Sequence, residues 1–159
     1  MRKSKFWYGI AAAMCLLVGQ AGWETQAHSG HSTEVQETTK KYRAGVMQVI
    51  SWNAAYFFDV LKGVAVYDAE EAQKRADNLN ALAAMPWEAF AERPSQDYIG
   101  HSSPAIWENP EDFQAKISAF TDAASHLASV AGSGEGAAKA AAAQLGGACK
   151  ECHDDYTKE

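Results

Sequence analysis

Cys149-Lys150-Glu151-Cys152-His153 lies near the end of an alanine-rich stretch and restricts the architecture before any other residue does. Two thiols three residues apart share one face of a helix, and an imidazole directly follows the second. C-x-x-C-H in that order is the attachment site of a c-type haem. Each thiol can form a thioether to one edge of the porphyrin, and the adjacent imidazole can give the iron its proximal nitrogen. On a helical wheel centred on Cys149, the residues Leu145, Cys152, His153 and Tyr156 all fall within about 60°. Thiols, histidine and apolar stripe therefore share a face, which is expected to point into the fold.

Other uses of these residues fit less well. A redox dithiol normally opens a helix after a strand, where the helix N-terminus lowers a thiol pKa. Here the motif closes a helix and no strand pattern precedes it. Structural zinc needs a fourth ligand, and the chain has no second C-x-x-C and no H-x-x-x-H partner. Gly146 and Gly147 each cost about 1 kcal/mol against alanine in a helix. Bare backbone there either admits something bulky or is simply tolerated in a long helix.

The N-terminus bears on compartment. Arg2, Lys3 and Lys5 precede an apolar run from Phe6 to about Val18, and small residues and a polar stretch follow. That is the pattern of a secretory signal peptide, with cleavage expected after Ala27 or Ala21. The run is shorter than the roughly 20 residues that span a bilayer. Cys15 lies inside it and is expected to leave with the signal. Export agrees with the motif, because c-type haem is attached outside the cytoplasmic membrane. Residues 28–159 then form one domain of 132 residues, enough for a single core. Removing residues 1–27 takes three of 14 basic and one of 20 acidic side chains, leaving a net charge of −8. Such a balance argues against nucleic acid or an anionic membrane as partner.

Four helical segments and no strand are predicted. The first runs from about Glu34 to Lys62, with Tyr42, Val46, Val49, Ile50, Phe57 and Val60 at the three-and-four spacing of a buried stripe. Asp68 is placed to cap the second, with Glu71 completing a capping box, and that helix reaches about Ala84. The stretch Met85 to Asn109 carries Pro86, Pro94 and Pro104 and the anchors Trp87, Phe90, Tyr98, Ile106 and Trp107. A connection this long usually crosses the fold or carries function. Asn109 is the expected cap of a third helix opened by Pro110, whose stripe is Phe113, Ile117, Phe120, Ala124 and Leu127. Gly132 to Gly136 breaks it, and the fourth helix runs from about Ala137 to Tyr156. The pattern predicts an all-α, antiparallel four-helix bundle with one long connection between the second and third helices.

On the first helix, Arg43 and Met47 are one turn apart and flank the main stripe. A cation there can meet haem propionates or edge the solvent. A methionine one turn on can reach the open face of the iron or fill the core. His126 is expected in solvent and His101 in the connection. His28 and His31 are expected in a mobile mature N-terminus; the alternative is an N-terminal copper or zinc site if cleavage falls after Ala27.

With these residues the chain resembles the cytochrome c′ family. The resemblance rests on Tyr42-Arg43-Ala44-Gly45-Val46-Met47, Ala84-Met85-Pro86-Trp87, Pro104-Ala105-Ile106-Trp107 and Cys149 to Tyr156. It implies one covalent haem c on Cys149 and Cys152, His153 as proximal iron ligand, Arg43 on a propionate and Met47 on the distal side. It further implies a high-spin, five-coordinate iron that binds NO and CO, in a soluble periplasmic homodimer that meets an unidentified redox partner. Phe58 is expected to face outward and would suit the dimer interface. Two positions depart from the family pattern. Ala44 stands where an amide residue often follows the arginine, and Thr157 stands where a basic residue is common. The alternative within the same superfamily is a low-spin electron carrier in which Met47 is the sixth ligand. No distal histidine stands on the first helix, so no peroxidase or other enzymatic activity is expected.

Overall fold

The computed structural model describes residues 32–158; the signal segment, Cys15, His28 and His31 lie outside the described residues. The helices are α1 (Thr33–Leu61), α2 (Ala69–Leu82), a single turn α3 (Ala105–Glu108), α4 (Pro110–Val130) and α5 (Glu135–Tyr156). Helix α1 packs on α2 and α5, and α4 packs on the same two, so the four long helices close a ring with α1 and α4 at opposite corners. Short turns join α1 to α2 and α4 to α5. The order is antiparallel, and it brings the start of α1, the end of α2, the start of α4 and the end of α5 to one end of the bundle.

Local chemistry explains most of the boundaries. Ser32 accepts from the Val35 amide at 3.4 Å and opens α1. The Asp68 carboxylate accepts from the Glu71 amide at 2.8 Å and opens α2. The reciprocal half of the expected capping box does not form. The Asp68 amide donates to the Tyr56 hydroxyl at 2.9 Å instead, and Glu71 pairs with Arg75 at 2.6 Å. Asn109 likewise is not a side-chain cap for α4, because its amide donates backwards to the Ala105 carbonyl that ends α3. Gly134, at φ +136°, reverses the chain ahead of α5, which begins two residues earlier than the composition suggests.

The core falls into two clusters. The larger holds Ile50, Phe57, Leu79, Phe120, Leu127 and Leu145 among others along the bundle axis. The smaller, at the end where the connection crosses, is Ile106, Phe113, Ile117 and Tyr156. The stripe expected on α4 is buried in full. That on α1 is shifted, because Val49 is 47% exposed whereas Arg43, Asn53 and Ala54 are buried. Asn53 is tolerated there because its amide donates to the Val49 carbonyl and its oxygen accepts from Asn78. Phe58 does not face outward: it is half-buried against the main cluster, its ring 3.1 Å from where a Cβ on Gly146 would stand. Gly146 thus lets an α1 side chain approach α5, which is the bulky group its bare backbone admits. Gly147 has nothing within 4 Å of that position.

Candidate functional site

The connection between α2 and α4 is built rather than loose. Residues Pro86–Phe90 and Gln96–Tyr98 are 3-10 turns, and α3 follows. Trp87 donates to the Ala83 carbonyl at 2.6 Å and Trp107 to the Phe90 carbonyl at 2.8 Å, so both indoles meet their polar requirement inside the segment. The end of α5 secures its other side. Ser103 donates to the Tyr156 carbonyl at 2.8 Å, Lys158 to the His101 carbonyl at 2.8 Å, and Ser102 bridges to Thr157. Ile99, unremarked among the expected anchors, is buried in this region.

Cys149 and Cys152 lie on α5 where the two clusters meet. Both thiols are half-buried; Cys149 packs against the larger cluster with Met47, and Cys152 against the smaller with Trp87, Phe90 and Trp107. Burial, reinforced by the neighbouring Cys152, pushes the Cys149 thiol up to about 11, and burial raises Cys152 as well. Both are neutral thiols at pH 7, the reverse of an activated redox dithiol at a helix N-terminus. Among the described residues no three His, Cys, Asp or Glu side chains are grouped to hold a metal ion. The dithiol reading of the motif loses its footing.

His153 is exposed, at the edge of the thiol face and not within the core as the wheel suggests. Around it α5 is densely charged. Lys150 pairs with Asp154, and Lys116 of α4 lies 3.4 Å from Asp155 and 3.7 Å from Glu151. Burial alone would lower the Lys116 pKa, but Asp155, Glu151 and Asp112 together raise it. Beneath this layer Tyr156 is buried, donates to the Asp112 carboxylate at 2.6 Å and meets Phe113 edge-on at 5.1 Å. Burial and the Asp112 contact push its phenol up to about 12.

Arg43 has partners that the sequence did not disclose. It is 5% exposed and donates to the carbonyls of Ala89 at 3.2 Å, Tyr98 at 2.7 Å and Ile99 at 3.4 Å, with the Phe90 ring 5.4 Å from its guanidinium carbon. Met47, one turn along, is half-buried. His126 is exposed, its Nδ1 2.9 Å from Gln144, and His101 is exposed in the connection.

Two neutral thiols at the junction of two apolar clusters, with an imidazole next in sequence and a methionine packed on the same cluster as the first thiol, fit a covalently held haem. The donor set is that of a c-type haem protein on a four-helix scaffold. A family profile described as Cytochrome C′ matches residues 38–157. The cytochrome c′ of Alcaligenes xylosoxydans xylosoxydans is 33% identical over 124 residues, spanning 77% of this chain and 95% of the relative. A cytochrome c-554 of Cereibacter sphaeroides is 35% identical over 123 residues, spanning 74% and 78%. Among solved structures, a Rhodobacter cytochrome c′ superposes with TM-score 0.73 at 31% identity, over 78% of this chain and 98% of that one. A ferrous variant of the Alcaligenes xylosoxidans protein with bound NO superposes at 0.71, also at 31% identity, over 78% and 96%. The chain belongs to the cytochrome c′ family, whose cofactor is one covalently bound haem c.

Proposed function

We propose that this protein is an exported haem c protein that binds small diatomic gases, NO and CO, at a high-spin, five-coordinate iron. The observation that carries the reading is the pair of half-buried thiols at the seam between the clusters, followed directly by His153. Cys149 and Cys152 would hold the haem by thioethers and His153 would ligate the iron. Met47 would stand on the distal side, and Arg43 would meet a propionate. A guanidinium has five N–H donors, so its three carbonyl bonds leave donors for a carboxylate. When bound, the haem supplies an iron able to take a diatomic ligand or exchange one electron. That the similar Alcaligenes structure holds NO supports the gas-binding branch.

The second reading is a low-spin electron carrier with Met47 as sixth ligand, whose Met/His ligation would raise the haem potential. The packing of Met47 in the same cluster as Cys149 favours it. The optical spectra of the ferric and ferrous protein separate the two. Five-coordination gives a high-spin ferric spectrum without a near-infrared sulfur-to-iron band, and a ferrous form that takes CO without displacing a protein ligand. A low-spin ferric spectrum with a Met47-dependent sulfur band would leave the electron carrier.

Residues 1–27 are proposed as the signal that directs residues 28–159 to the periplasm. No helix among the described residues is long and apolar enough to cross a membrane. A homodimer is proposed through α1, where Val49 and Trp52, one turn apart, are 47% and 70% exposed. No catalytic role is assigned to any residue.

A further inference from the structure

Residues 85–99 lie against the N-terminal half of α1. An open groove of about 1090 Å³ runs between them, lined by Gln36, Tyr42, Arg43, Glu88 and Ser95 among others. Polar fasteners cross it. Tyr42 donates to the Met85 carbonyl at 2.9 Å, and Ser95 donates to Gln36 Oε1 through its amide at 2.8 Å and its hydroxyl at 2.9 Å. Both of these are exposed; the third, Arg43, is buried. Its acceptors come from two separate turns, Ala89 in one and Tyr98 and Ile99 at the end of the other. The Phe90 ring supports the guanidinium.

We propose that Arg43 is the positioning residue of the connection, fastening residues 89–99 to α1 so that Trp87, Phe90 and Trp107 stand as a wall against the same cluster of Ile106, Phe113, Ile117 and Tyr156 on which Cys152 packs. A buried cation must be compensated, and here peptide carbonyls supply most of that compensation. The guanidinium is a planar fork that can hold acceptors on two chain segments at once, whereas a lysine ammonium is a single compact charge. Charge alone therefore does not do the work. This inference rests on reading the seam as a haem cleft, whose access the wall limits, and it adds to any propionate contact a role that does not depend on one.

The test compares the haem-loaded wild type with Arg43→Lys, Arg43→Gln, Phe90→Leu and Tyr42→Phe. Amide hydrogen exchange is read in peptides covering 86–103 and 33–62, and CO association is read on the ferrous forms. Arg43→Lys and Arg43→Gln are expected to lose at least tenfold of the protection in 89–103 while α1 keeps its own, and to bind CO several-fold faster. Phe90→Leu, which removes only the supporting ring, gives a smaller loss in the same peptides, and Tyr42→Phe leaves them as in the wild type. An Arg43→Lys variant with wild-type protection and CO rate would overturn the proposal and reduce Arg43 to a charge beside the haem. If the arginine variants do not accumulate, unchanged protection of 89–103 in Phe90→Leu overturns it equally. The exchange pattern of haem-free wild type reads the fastening separately. Protection of 89–103 there, lost in haem-free Arg43→Lys, supports the fastening independently of the haem, and equal protection in the two overturns it.

Discussion

Tyr156→Phe isolates one hydrogen bond at the end of the bundle that bears the haem motif. The phenylalanine ring keeps the edge-on contact with Phe113 at 5.1 Å and the packing beside Cys152, and only the hydroxyl donating to Asp112 at 2.6 Å is lost. Hydrogen bonds to charged groups contribute roughly 1.5–3 kcal/mol. Asp112 is exposed and can recover water once freed, so the expected loss is about 1–1.5 kcal/mol. The assay is urea unfolding of both proteins from pH 7 upward. The Tyr156 pKa lies near 12 in the folded protein against an ordinary 10.0. The hydrogen bond's contribution is therefore fully present below pH 10, and it is lost between 10 and 12 as ionisation stabilises the unfolded chain. The gap between wild type and variant should be constant from pH 7 to 9 and narrow above 10. A gap that is absent at pH 7, or that widens above pH 10, refutes the reasoning. Asp112→Asn in the same background should leave little further for Tyr156→Phe to remove.

Gly147→Ala should stabilise by up to about 1 kcal/mol, since its new methyl meets nothing within 4 Å. Gly146→Ala should gain less, or lose, because its Cβ would stand 3.1 Å from the Phe58 ring; thermal melts of the pair check the order. Met47→Ala should speed NO and CO binding in stopped flow while the resting iron stays high-spin; conversion of a low-spin wild type to high-spin would assign Met47 as ligand. Trp52→Glu should shift sedimentation toward the monomer, and a wild type already monomeric at micromolar concentration removes the proposed interface.

What the sequence disclosed follows from periodicity and local rules. The apolar spacing of Phe113, Ile117, Phe120, Ala124 and Leu127 gave the buried face of α4 residue for residue. The Asp68 cap was legible because an acid precedes a helical run; that Tyr56 would take the Asp68 amide depends on a residue twelve positions away. On α1 a helical wheel has no means of telling which side a neighbour covers, so it points Val49 inward and Phe58 outward, whereas Val49 is exposed and Phe58 lies against Gly146 of α5. The thiols and imidazole of the candidate site were legible as a motif, and the exposure of His153 was not, since it lies at the margin of the packed face. Arg43 is legible as a cation beside the stripe, but its carbonyl acceptors lie 46 to 56 residues away in a segment without periodicity. The bridge of Ser102 to Thr157 is of the same kind.

Every role proposed for the site depends first on a haem joined to the polypeptide by both thiols. The direct measurement is the intact mass of residues 28–159 after export with a haem-attachment system, taken before and after extraction with acidified acetone. The predicted result is a mass higher by one haem, unchanged by extraction, and a double Cys149→Ala, Cys152→Ala variant whose haem is extracted completely. Wild-type protein that carries only the polypeptide mass, or that loses its haem to acetone, would contradict it.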